Sequence, residues 1–189
     1  YYVDIFRSRK ERGGDKMHDY FYHNLGQTLT LTGTNGTDLN LQPTEELAFA
    51  GAHLYAYSYI YDKKSATTDK DIKATFTITM PDKDDISMNL WMKGETDREV
   101  FTALSPMTEG LSRTPGMPYN IKEQPTLTFV ARQKGEAGTD HSSLSMSPHR
   151  KRTRLHCRSK LPEVKSKTEN SATSICVVQK DGRIDYILY

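Results

Sequence analysis

Tyr1–Gly26, YYVDIFRSRKERGGDKMHDYFYHNLG, decides the fold class. Two strand-like runs, Tyr1–Phe6 and Met17–Tyr22, flank a polar stretch with Gly13-Gly14 at its turn. The second run gathers His18, Asp19, Tyr20, Tyr22 and His23 within six residues. On a strand successive side chains alternate faces, so His18, Tyr20 and Tyr22 share one face, and Asp19, Phe21 and His23 share the other. The first face offers proton-transfer groups. The second pairs a carboxylate with an imidazole, a set suited to a metal or to a buried hydrogen-bonded pair.

The same period of two recurs downstream. QTLTLT (Gln27–Thr32) alternates Thr and Leu, and IKATFTITM (Ile72–Met80) is the clearest strand pattern of the chain. AHLYAYSYIY, within Leu47–Tyr61, sets tyrosines at 55, 57, 59 and 61 and reads as a strand with an aromatic stripe. Ile86–Met92, Val100–Leu104 and Leu127–Arg132 add further strands, and residues 108–124, rich in Pro and Gly, read as a long loop. Ser174–Gln179 and Ile184–Leu188 flank Lys180-Asp181-Gly182-Arg183, a hairpin signal. Short strands separated by turns predict an all-β, antiparallel sandwich over residues 1–189 as a single region.

Composition agrees. Eleven tyrosines among 189 residues, with threonines in the strand-like runs, favour sheet over helix. No run of 18 apolar residues is present, so no segment reads as a membrane-spanning helix. Tyr1 opens inside a strand-like run with no signal-peptide pattern, so the chain reads as a fragment of a longer protein. The net charge of +2 is local in origin. Arg150, Lys151, Arg152, Arg154, Arg158 and Lys160 are all basic with no acid among them, and without them the balance is negative. They lie in residues 139–169, a basic stretch without a strand pattern that reads as a solvated, disordered loop. It carries no aromatic residue, which argues against nucleic-acid binding. Cys157 and Cys176 form no C-x-x-C pattern.

VDIFR, the Gly-Gly turn, HDYFYHNLG, the stretch Phe101–Gly138 and KDGRIDYIL together resemble the β-sandwich region of heparinase II/III-like polysaccharide lyases, which include oligo-alginate lyases. The resemblance covers about residues 1–138 and 170–189. It implies the C-terminal sandwich of a protein whose N-terminal (α/α) toroid is absent from this chain. Such lyases cleave uronic-acid glycans by β-elimination: a base removes the C5 proton, an acid protonates the leaving oxygen, and a neighbouring group neutralises the carboxylate. Most of that set lies on the toroid, so this carbon–oxygen lyase fragment is expected to be inactive alone.

Within the chain the resemblance offers His18, Tyr20 and Tyr22 as catalytic candidates. It offers His23, then His18, as ligands of a structural zinc, and Arg113 and Arg132 for substrate carboxylates. It implies an acidic polysaccharide (heparin-like or alginate) as partner and a periplasmic or extracellular location for the parent. The alternative is a carbohydrate-binding or structural sandwich without chemistry.

The resemblance also bears on the break at Gly138. Relatives would continue with Trp-Thr-Arg-Pro-Phe-Val-Ala-Val-Tyr-Glu-Pro. Back-translated and read from the third base of each codon, Thr139–Pro148 admits Arg-Pro-Phe-Val-Ala-Val-Tyr-Glu-Pro. This predicts a frameshift beginning near Gly138 and compensated near Asn170.

Overall fold

The computed structural model describes residues 1–7, 16–48, 52–81, 83–116, 123–135, 141–150, 174–178 and 182–188. Its strands are β1 (Tyr2–Arg7), β2 (Lys16–Asn24), β3 (Thr28–Gly33), β4 (Gln42–Pro43), β5 (Tyr61–Thr68), β6 (Ile72–Ile78), β7 (Ile86–Met92), β8 (Arg98–Ser105), β9 (Thr126–Gly135), β10 (His141–Arg150), β11 (Ser174–Val178) and β12 (Ile184–Leu188). Two short helical pieces interrupt them, a 3-10 helix over Ala52–Tyr59 and a single α-turn, α1, over Glu109–Ser112. None of these helices is long and apolar enough to cross a membrane.

The strands form two five-stranded antiparallel sheets. Sheet I has the order β1-β10-β7-β6-β3, and sheet II the order β2-β9-β8-β5-β4. β11 and β12 make a separate hairpin, whose turn uses Gly182 at φ 88°, a conformation natural to glycine. The two large sheets face each other over one core. Leu31, Ile72, Ala74, Phe76, Leu90 and Met92 come from sheet I, and Val100, Leu127, Phe129 and Ala131 from sheet II. The alternation in Ile72-Lys73-Ala74-Thr75-Phe76 appears as alternating burial, with the three apolar residues at the core. The molecule is therefore an antiparallel β-sandwich.

Sheet II is covered on its outer side as well. Phe101 and Val130 point away from the main core and pack with Leu47, and Phe21 and Tyr57 close this second cluster. The cover comes from the segment around Leu47 and from the 3-10 helix. Here the structure corrects the strand expected over Leu47–Tyr61. Three residues per turn cannot keep the tyrosines at 55, 57, 59 and 61 in one row. Tyr57 turns in toward sheet II, while Tyr59 is exposed. The next strand, β5, begins at Tyr61 in YDKKSATT, a run whose charges hid it in the sequence.

The strands expected on either side of Gly13-Gly14 are present and lie in different sheets: β1 joins sheet I beside β10, and β2 joins sheet II beside β9. One further expectation changes. The solvated loop expected over 139–169 does not hold for 141–150, whose backbone is β10 and pairs with both β1 and β7. The register sets Leu144 opposite Met92 and Met146 opposite Leu90, two core residues of β7. Ser-Leu-Ser-Met-Ser carries a period of two that the surrounding serines and basic residues masked. Cys157 and the basic residues after Arg150 lie outside the described residues.

Candidate functional site

β2 distributes its polar residues as strand alternation requires, and the sandwich decides what each face meets. Tyr20 and Tyr22 point into the space between the sheets and pack against the main core. The Tyr20 hydroxyl donates to Asp4 Oδ2 on β1, 3.0 Å away, and its ring meets Phe6 edge-on at 5.3 Å. Tyr20 is therefore a bridge between the two sheets. The Tyr22 hydroxyl donates to Met88 Sδ at 3.4 Å, and its ring lies against Phe76. Burial raises the pKa of both phenols, and the hydrogen bond to Asp4 raises that of Tyr20 further. A phenol held protonated in this way is a poor base at neutral pH. His18 shares their face, opposite Gln133 on β9, and is half-buried.

The outer face of sheet II holds the other group. Arg132 on β9 is 5% exposed and clamps Asp19 on β2 through two bonds, Nε to Oδ1 at 2.7 Å and Nη2 to Oδ2 at 2.9 Å. The Tyr57 hydroxyl gives Asp19 Oδ2 a further bond at 2.6 Å, and Arg132 Nη1 reaches Glu46 Oε2 at 3.2 Å. The guanidinium lies 5.4 Å from the centre of the Phe101 ring. Asp19 and Arg132 face each other in the ladder, so the two-strand register itself sets this pair. Hydrogen bonding to Asp19 raises the pKa of Arg132, and burial together with the Asp19 carboxylate raises that of Tyr57. Arg132 thus holds the cover of sheet II, and its fork is already occupied. Tyr57 and Glu46 were not expected at the site. No periodic signal marks Glu46, and Tyr57 was assigned to a strand.

His23 lies on this same face, exposed at the surface. Its Nδ1 is 3.0 Å from Thr128 Oγ1, which is 2.7 Å from Ser105 Oγ. Thr128 and Ser105 are buried, so the imidazole is backed by a hydroxyl pair on β9 and β8. The Phe21 ring stacks on it at 6.0 Å. Partial burial lowers the His23 pKa below its ordinary value, so the ring is neutral at neutral pH and one nitrogen keeps a lone pair. His23 was expected as a metal ligand rather than as a proton-transfer residue, yet its exposure and lowered pKa suit it to accept a proton.

The structure separates the remaining candidates. His18 and His23 project from opposite faces of β2 and do not share a metal ion. Among the described residues no three His, Cys, Asp or Glu side chains come together as a metal site, so the donors seen here do not form a zinc site. Arg113 follows α1, is exposed, and pairs with Glu109 one turn away.

Comparison with known proteins adds one relative. An endo-acting ulvan lyase of Formosa agariphila (strain DSM 15362 / KCTC 12365 / LMG 23005 / KMM 3901 / M-2Alg 35-1) is 33% identical over 141 residues. The chain is related to a polysaccharide lyase. The match takes in 72% of this chain and 16% of the lyase, so the chain spans a small part of its relative. No family model matches the chain, and no solved structure does.

Proposed function

We propose that this chain is the sandwich portion of an exported, heparinase II/III-like lyase that cleaves acidic, uronate-containing polysaccharides by β-elimination. Ulvan is the first substrate to test, with alginate and heparin-like chains after it. The observation that carries this reading is the 33% identity to part of an endo-acting ulvan lyase. The reaction needs a base for the C5 proton, an acid for the leaving oxygen and a cation or donor at the carboxylate. Within this chain His23 fits the first role: its ring is neutral, exposed and oriented by Thr128. The other groups are assigned to the (α/α) toroid of the parent.

The test uses the parent protein with ulvan, alginate and heparin, following the ultraviolet absorbance of the unsaturated uronate that elimination creates. Activity on one of them, reduced about a hundredfold or more by His23→Ala, is the expected result. Absence of the chromophore with all three defeats the lyase reading. Full activity in the variant removes His23 from the chemistry.

A second reading is a carbohydrate-binding or structural sandwich without chemistry. The inward, proton-retaining phenols Tyr20 and Tyr22 favour it. The 189-residue chain would then bind these polymers, and the parent would release no unsaturated product.

A further inference from the structure

The edge of sheet II carries a groove far from the imidazole. It has a volume of about 530 Å³ and is lined by Pro43, Thr44, Glu45, Ile60, Tyr61, Asp62 and Lys63. β4 and the start of β5 form its walls, and Thr44 N–H donates to Lys63 O at 3.1 Å to tie them together. Three strand steps separate β5 from β2, roughly 14 Å at about 4.8 Å per step.

Two features set this edge apart from an ordinary strand end. The pairing of β5 with β8 slips between Tyr61 and Lys64, which marks a bulge. Asp62 lies inside it with φ 48°, in the left-handed region that Asp enters more readily than most side chains. Bulges re-aim side chains at the rims of sheets. What is presented here is Tyr61, 48% exposed, beside the carboxylates of Glu45 and Asp62 and the hydroxyl of Thr44.

We infer that this groove is a saccharide subsite for an uncharged pyranose unit, with Tyr61 as its platform. The C–H face of a pyranose packs on an aromatic ring, which offers a large, rigid apolar surface. Carboxylates accept hydrogen bonds from sugar hydroxyls and repel a uronate carboxylate. With two acids and one amine on the rim, and Lys63 Nζ already 3.3 Å from Glu45 O, the balance selects a neutral unit over a uronate. The subsite rests on the polysaccharide reading for its ligand class and stays separate from catalysis.

The 189-residue chain is titrated by NMR with neutral xylo- and gluco-hexasaccharides and with an alginate hexasaccharide as the charged probe. A neutral probe binds, shifting amides of residues 43–45 and 60–63, and the uronate probe binds at least about tenfold more weakly. Tyr61→Ala weakens the neutral probe about tenfold. Asp62→Gly, which relieves the left-handed backbone and so preserves the fold, weakens it severalfold by removing one acceptor. Failure of both neutral probes to bind, unchanged affinity in Tyr61→Ala, or preference for the uronate each overturns the inference. If the parent yields unsaturated product and Tyr61→Ala changes nothing, the subsite alone falls. If Tyr61-dependent binding is found with no product, the lyase reading falls and the subsite stands.

Discussion

β9 and β10 are each ten residues long, follow one another in the chain, and each fills an interior place between two partners. Their sequences could hardly differ more. TLTFVARQKG places Leu127, Phe129 and Ala131 in the core and Thr128, Val130 and Arg132 in the outer layer, so six successive residues are buried. HSSLSMSPHR offers Leu144 and Met146 to the registers of Met92 and Leu90, with serines elsewhere in its first half and Pro148 near its end. Proline gives up a ladder donor and is unusual inside a sheet. β9 earns its place by side chains buried on both faces. The place of β10 is set by the ladders of β1 and β7 on either side of it. A strand address in a sandwich is thus fixed partly by the neighbours that remain to be paired.

The largest effect is expected where β9 is anchored. Arg132→Met removes the cation from Asp19, whose side chain is 10% exposed, and leaves a buried carboxylate with only Tyr57 for support. The loss is about 3–5 kcal/mol, read from urea unfolding. Replacing Asp19 and Arg132 together with apolar residues should recover most of it, because no charge is then stranded. A double variant as unstable as Arg132→Met would show that the ion pair is not what holds the cover of sheet II.

The next largest effect should appear in β10, with the opposite sign. We propose that the strand is written in a shifted frame, and that Phe-Val-Ala-Val-Tyr-Glu belongs at residues 142–147. Putting that segment in place of the six present residues should stabilise the chain by about 1–2 kcal/mol net: Phe and two Val replace serines, each worth about 2 kcal/mol if buried, while Leu144→Ala in the register of Met92 gives part of that back. A rise in melting temperature would bring β10 level with β9. A fall would show that the serine-rich segment is the one this slot accepts, and so would coding DNA uninterrupted from Gly138 to Asn170.

How far the sequence led follows from the same contrast. Strand alternation assigned His18, Tyr20 and Tyr22 to one face of β2 and Asp19, Phe21 and His23 to the other, because that depends on local geometry alone. Which face met the core did not follow, because that depends on sheet I, built mainly from residues after Leu29. Asp4 shows the same limit: its carboxylate accepts from Tyr20 across the sandwich, a partner on the other sheet that strand alternation alone does not name. The fold class survived because it rests on many strands, whereas a site rests on a few long-range neighbours. The 3-10 helix over Ala52–Tyr59 was illegible for a different reason, since Ala-X-Tyr spacing carries a period of two without requiring a strand.

Tyr20 tests the connection between the two regions, since it stands opposite Ala131 of β9 while Asp4 stands opposite Leu144 of β10. Tyr20→Phe should cost about 1 kcal/mol, the ordinary worth of one hydrogen bond. The pH dependence has a definite sign. The folded-state pKa of this phenol is raised, so its contribution is complete below the ordinary phenol pKa of about 10 and is lost as pH rises beyond it. Tyr57 behaves in the same direction. Alkaline unfolding should therefore begin above about pH 10 and be less steep in Tyr20→Phe and Tyr57→Phe. Equal slopes in all three proteins would mean that neither phenol is held protonated by the fold.

The smallest expected effect concerns His23, on β2 opposite Thr128 of the β9 outer row. Its pKa is lowered by burial, so the folded chain favours the neutral ring. Stability from this source is complete above the unfolded value of about 6.5 and is lost as pH falls through the lower folded value. Because the ring is exposed, the change in stability is slight and is read best from the residue itself. Imidazole signals followed by NMR should place the His23 midpoint below about 6.5. Thr128→Val removes the hydroxyl at Nδ1 while keeping the buried shape, and should alter the tautomer balance and move the midpoint without unfolding β9. A midpoint at or above the ordinary value would leave His23 protonated in mildly acidic solution. It would then sit beside substrate as a cation for the uronate carboxylate rather than as a base for its C5 proton.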